Sequence, residues 1–153
     1  MKIISGAQTG ADQAGLDYAS DLGMETGGYV TKGRRTMTGP LTDEYMKEMS
    51  LVELSSASYQ VRTWKNVEMS DGTIRLAVDF TSPGEKCTMA AIREYNKPHI
   101  DVDLLEPLDP SVVRKWLVDN DIKILNVAGN CQWKEKMDIY HMVYQYLIDV
   151  FEA

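Results

Sequence analysis

Two stretches of the chain carry residues suited to holding an anion, "SGAQTGAD" at 5–12 and "TKGRR" at 31–35. In the first, Gly6 and Gly10 free the backbone around Gln8, and Thr9 is placed to cap a following helix. Asp12, three residues on, completes a capping-box-like pattern with Asp in place of Glu or Gln. Exposed N–H groups at a helix start, reinforced by the helix dipole, attract anions. Neither the dinucleotide GxGxxG nor the Walker pattern occurs here, so a capped strand-to-helix turn without a ligand is the competing reading. Asp12 either caps backbone donors, the favoured reading, or faces a ribose hydroxyl or a metal ion. In the second stretch Lys32, Arg34 and Arg35 surround Gly33, the one dense positive cluster of an acidic chain. Arginine suits bidentate contact with phosphate or carboxylate, and a solvated surface loop is the plainer alternative.

Other residues further along could join such a site. Arg62 and Asn66 lie four apart on one face of a predicted helix, aimed at a crevice or at each other. Asp71 and Gly72 read as turn chemistry. Pro83 and Gly84 precede Cys87 and Thr88, expected to open the next helix, where a thiol has in principle a lowered pKa. No histidine lies near Cys87 in sequence, so a catalytic thiol is the lesser reading. His99, Asp101 and Asp103 alternate on one strand face, a cation site or a satisfied histidine. Tyr140, Val143, Tyr144, Leu147 and Phe151 are spaced as the buried face of a last helix.

The elements that would carry these residues alternate. "KIIS" at 2–5 reads as a strand followed by a helix from Ala11 to Leu22, and "ETGGYV" as a second strand before a long polar loop, 31–45. A helix over 57–68, a strand "TIRLAVDF", a helix over 87–96 and a strand "HIDVDL" follow. Asp109 as N-cap and Pro110 at the first helical position open a helix to 120. The strand "KILNVAG" at 123–129 leads into a helix from about 133 to 152. Strands alternating with helices imply a three-layer, Rossmann-like α/β domain with a mostly parallel sheet of about five strands, spanning 1–153 as one unit. In such sheets ligands sit beyond the carboxyl ends of the strands, where the segments Gly6–Thr9, Thr81–Lys86 and Ala128–Cys131 could meet.

Composition narrows the function classes. A net charge of −7 argues against a nucleic-acid partner, since phosphate neutralisation needs a basic face. No apolar run approaches the roughly 20 residues of a membrane span, and "MKIISGAQ" lacks the apolar stretch of a signal peptide, so no membrane partner and a cytoplasmic location are expected. Cys87 and Cys131 stand far apart without a CxxC, so no metal site and no disulfide is expected.

Taken together, "SGAQTGADQAGLD", "TKGRRTMTGPL", "YQVRTWKNVEMSDGTI", "KPHIDVDL" and "ILNVAGN" resemble, in order and over nearly the whole chain, the circularly permuted branch of the SLOG superfamily, a family often labelled "putative molybdenum carrier". The resemblance implies a Rossmann-like fold related to the cytokinin-activating "lonely guy" proteins and to molybdenum-cofactor carriers, with a nucleotide or molybdenum cofactor as the implied ligand. It places the family's first loop on Gly6, Gln8, Thr9, Gly10 and Asp12, its basic loop on Lys32, Gly33 and Arg34, and its middle segment on Arg62, Asn66, Asp71, Gly72 and Thr73. Ala7 stands where the family usually has glycine, and Gln13 where it often has arginine. The related hydrolases carry PGGxGTxxE. Here Pro83, Gly84 and Thr88 match, Glu85 and Cys87 replace glycines, and Ala91 occupies the place of the catalytic glutamate. Alanine can neither move a proton nor stabilise an oxocarbenium-like charge, which shifts the expectation from catalysis to binding. Glu94, one turn on, is the conceivable stand-in.

Three functions follow for comparison: a carrier-like module holding a small phosphorylated or nucleotide-like ligand, a nucleotide N-glycosidase or phosphoribohydrolase, and an interaction domain with nothing in its crevice. A homo-oligomer is expected from the family.

Overall fold

A computed structural model describes residues 1–132 and 137–153. Six strands form one sheet in which every pairing is parallel: β1 (Lys2–Ile4), β2 (Glu25–Val30), β5 (Leu51–Glu53), β6 (Gly72–Ala77), β7 (His99–Asp103) and β8 (Ile124–Gly129). Their spatial order is β5-β2-β1-β8-β6-β7. The chain runs outward from β1 through β2 to β5, crosses to β6 and β7, and returns to insert β8 between β1 and β6. That reversal puts a crevice beyond the carboxyl ends of β1, β8 and β6.

The helices lie on both faces. α1 (Ala11–Asp21), α5 (Pro110–Asp119) and α6 (Ile139–Phe151) pack together on one side, and α3 (Tyr59–Met69) with α4 (Pro83–Tyr95) on the other. The fold is thus the expected three-layer, Rossmann-like α/β arrangement, with six strands in its main sheet where about five were expected. The added strand, β5, is three residues long, too short to show alternation. The polar loop from 31 onward contains a two-stranded antiparallel ribbon, β3 (Arg35–Thr36) and β4 (Gly39–Pro40), and a short helix α2 (Asp43–Glu48).

Burial follows the pattern a covered parallel sheet requires. All six residues of β6 are buried, and Ile3, Ile74, Leu76, Leu125 and Val127 meet Ala14, Val113, Val143 and Leu147 from the helices. Arg75 is the exception within this apolar run. It faces Asp101 of β7 in register and donates to both carboxylate oxygens, at 2.7 and 2.6 Å, which compensates the buried charge. Asp101 is therefore engaged by Arg75, which removes it from the conjectured cation site with His99 and Asp103. The α6 stripe behaves as predicted. Val143 and Leu147 are fully buried, and the half-buried Tyr140 and Tyr144 donate hydroxyls to Asp17 and Asp21 of α1. α6 starts at Ile139 with Asp138 as its cap; the expected first residues, 133–136, lie outside the described residues.

Candidate functional site

The turn after β1 is built around Ser5 and Asp12. The Ser5 hydroxyl donates to the carbonyl of Asp12 and accepts the N–H of Ala7, while Asp12 Oδ2 accepts the N–H of Gln8 at 3.2 Å. The cap of α1 is Gly10, not Thr9, and no side chain caps it. Gly10 adopts φ +89°, and a Cβ there would sit 2.5 Å from the carbonyl oxygen of Asn130, so only glycine lets the helix start against the end of β8. Ala7 is held at φ +58°, left-handed backbone that suits the glycine the family usually carries. Asp12 does serve a backbone donor, as favoured, but reaches back to the turn rather than forming a capping box with Thr9.

The end of β8 is tied to the end of β6 by Asn130. Its Oδ1 accepts the N–H groups of Val78 and Asp79, and its Nδ2 donates to the carbonyl of Asp79. Beyond these, Ser82 caps α4 and Pro83 occupies its first position, so the helix begins four residues earlier than predicted. Cys87 is consequently past the first turn, and burial pushes its thiol up rather than down, with the neighbouring Trp64 and the positive charge of Arg62 opposing only in part.

The three segments converge on a cavity of about 560 Å³ at the crevice, within the size range of small-ligand pockets. Of the predicted site residues, Gly6, Gln8, Asp12, Arg62, Asn66, Pro83, Gly84 and Thr88 line it. Thr9 and Gly10 line a separate, smaller cavity beside it. Lys32, Gly33 and Arg34 line neither. Arg34 instead pairs with Asp43 and with Glu53, whose other oxygen accepts the N–H of Gly33 at 2.9 Å. Arg35 also lines neither; its guanidinium lies 5.6 Å from the ring of Tyr59, a lining residue, and donates to the carbonyl of Ala57 at 3.2 Å. Asp71 and Gly72 sit at the opposite end of the sheet, where Asp71 accepts the N–H groups of Lys123 and Ile124.

Arg62 is the one cationic side chain among the described residues lining the cavity. It crosses over Gly6, donating Nη1 to the Gly6 carbonyl at 3.1 Å and stacking on Tyr59 at 5.1 Å. A Cβ at Gly6 would fall 2.5 Å from Arg62 Cδ. Its Nε–H is buried without a partner. Asn66 is engaged structurally: its amide bridges the N–H and carbonyl of Tyr29 and also donates to the Arg62 carbonyl, clasping α3 to β2.

Two carboxyls share this cavity. Burial raises Asp12 to about 6, against the opposing pull of Arg62 and the Gln8 N–H. Burial likewise raises Glu85 to about 7; Arg75 opposes this, and Asp12 adds to it. Glu85 is 2% exposed and its Oε1 has no hydrogen-bond partner. Glu85 stood out in the sequence only as a missing glycine, because it shares a cavity with Asp12 only once the turn after β1 and the start of α4, 73 positions apart, meet at the carboxyl end of the sheet. Ala91 is buried with Val67 and Ile92 between α3 and α4, and Glu94 is exposed and off the cavity, so neither offers a carboxyl there.

Fold and crevice define a Rossmann-like α/β protein with a walled cavity at its topological switch point. The family profile of the circularly permutated YpsA SLOG family matches residues 3–151, and the chain belongs to that family. It is also similar to a crystal structure of a "Putative molybdenum carrier protein" from Syntrophus aciditrophicus SB, at 35% identity and a TM-score of 0.89, over 99% of this chain and 94% of that one. A comparison with curated proteins finds no match. Among the described residues no helix is long and apolar enough to cross a membrane.

Proposed function

We propose that this chain is a molybdenum-carrier-like binding protein of the cytoplasm whose crevice takes a small phosphorylated, nucleotide-like ligand, with molybdenum cofactor a candidate cargo. The observation that carries this reading is Arg62, held across Gly6 in a cavity of about 560 Å³ with a buried, unpartnered Nε–H. A buried donor without an acceptor costs about 1–3 kcal/mol, so a ligand oxygen that reaches it is favoured. In this reading the planar body of a pterin or purine enters the cavity lined by Tyr59, Ala128 and Gly129, and the phosphate meets Arg62. The relative's printed description supports the carrier reading, and the parallel sheet's switch point supports a ligand at this end. The expected homo-oligomer belongs to the same proposal and is read by light scattering of the purified chain.

Thermal-shift screening of the purified chain against nucleoside monophosphates and pterins tests it. A ligand present at 100 times its Kd adds about 2.7 kcal/mol, roughly 5–10 °C for a chain this size. No shift with any compound contradicts the proposal and leaves the interaction-domain reading.

The second reading, a nucleotide N-glycosidase, rests on Asp12 and Glu85, two carboxyls raised towards neutrality in one cavity. It requires base release from nucleoside monophosphates that Glu85→Gln abolishes. Absence of turnover across the panel counts against it.

A further inference from the structure

Glu85 is a cavity residue whose chemistry the anion at Arg62 does not use. It is buried, it lines the cavity, and among the described residues no donor reaches its Oε1. The nearest cation on its side, Arg75, donates to the Glu85 backbone carbonyl at 3.1 Å and gives its other donors to Asp101. Asp12, which lines the same cavity from the start of α1, is matched among the described residues by the Gln8 N–H and by Arg62 at 3.8 Å. At Glu85 the cavity wall therefore presents an acceptor without a donor, which disfavours a phosphate there and selects a ligand edge rich in N–H groups. Metal coordination is the other use of paired carboxyls, but among the described residues no three His, Cys, Asp or Glu side chains converge to hold an ion.

We propose that Glu85 reads the donor edge of a 2-amino-4-oxo heterocycle, the edge common to guanine and pterin, and so orients the ring towards Glu85 and the phosphate towards Arg62. The ring N–H and the adjacent exocyclic amine of that edge lie side by side and match the two oxygens of one carboxylate. This rests on the cavity being the ligand site, as proposed above, and adds which end of the ligand enters.

The test is isothermal titration of the full chain at pH 8 with two pairs that differ at the 2-position, GMP against IMP and pterin against lumazine. The 2-amino member of at least one pair is expected to bind about tenfold or more tightly than its partner, the loss that follows when a buried charged acceptor is left unmatched. Preference within the purine pair alone assigns a nucleotide, and within the pteridine pair alone a pterin. Glu85→Gln, nearly isosteric, is expected to erase the preference while retaining binding of IMP or lumazine. Equal affinities within both pairs, or a preference that persists in Glu85→Gln, overturn the assignment of the edge and leave the ligand site standing. Failure of all four compounds to bind overturns the ligand site and the edge assignment together.

Discussion

Arg62 Nη1 donates to the carbonyl oxygen of Gly6 at 3.1 Å while standing 3.8 Å from the carboxylate of Asp12. One side chain from α3 thus spans the turn after β1 and faces the first turn of α1. The missing side chain at Gly6 makes room for this crossing, because a Cβ there would overlap Arg62 Cδ at 2.5 Å. Gly6→Ala is therefore expected to keep the fold, since the overlap is with a flexible side chain, but to swing the guanidinium away. Ligand affinity measured by titration should fall about tenfold, comparable to one charge-assisted hydrogen bond.

The two raised carboxyls make stability pH-dependent in a definite direction. Asp12 moves from 3.8 to about 6 and Glu85 from 4.5 to about 7, so in that window the folded chain holds protons that the unfolded chain releases. Stability from these groups is greatest below the lower values, falls as pH rises through the window, and is level above about pH 8. The lowered carboxyls, such as Asp138 at about 2, lose their contribution only in stronger acid and leave this window clear. Thermal unfolding should show the chain less stable at pH 8 than at pH 5 by roughly 3 kcal/mol, and the double change Asp12→Asn with Glu85→Gln should flatten that difference.

Asn130 makes three partly buried hydrogen bonds, at 2.8, 3.0 and 2.9 Å, that clamp the carboxyl ends of β8 and β6 together. Asn130→Ala leaves two N–H groups and a carbonyl to find other partners. A loss of about 2–4 kcal/mol in chemical denaturation is expected, with ligand affinity reduced through the loosened cavity wall.

The basic loop divides between two tasks. Arg34 links to Glu53 and Asp43, so Arg34→Ala should leave ligand affinity within about threefold of the parent, as expected of a change away from the contacts. Arg35 stands by Tyr59, which lines the cavity, and Arg35→Ala should weaken a phosphorylated ligand more than its dephosphorylated form. Paired titrations of nucleotide and nucleoside separate the two residues.

The sequence made the layered fold readable because each helix and strand carries its own period and its own caps. Asp109 and Pro110 marked the start of α5 correctly, and the equivalent pair Ser82 and Pro83 marks the start of α4, which the sequence reading put four residues later, at Cys87. β5 escaped because three residues carry no alternation, and the β3–β4 ribbon because it lies within a polar loop. The convergence of three strand-end segments on one crevice was legible from the order of the elements. The contents of the crevice were less so: charge density and the family resemblance singled out Lys32 and Arg34, whereas their acidic neighbours Asp43 and Glu53 engage Arg34 in the fold. The placement of Asp12 and Glu85 in one cavity is a tertiary fact without a local sequence signal.

The most direct measurement is the dissociation constant of the best-stabilising nucleotide or pterin for the parent chain and for Arg62→Ala, with both proteins checked for equal secondary structure. The account predicts a loss of about tenfold to a hundredfold in affinity on removing the guanidinium. An unchanged constant in a folded Arg62→Ala protein would contradict it, because the ligand would then lie outside the cavity that Arg62 spans.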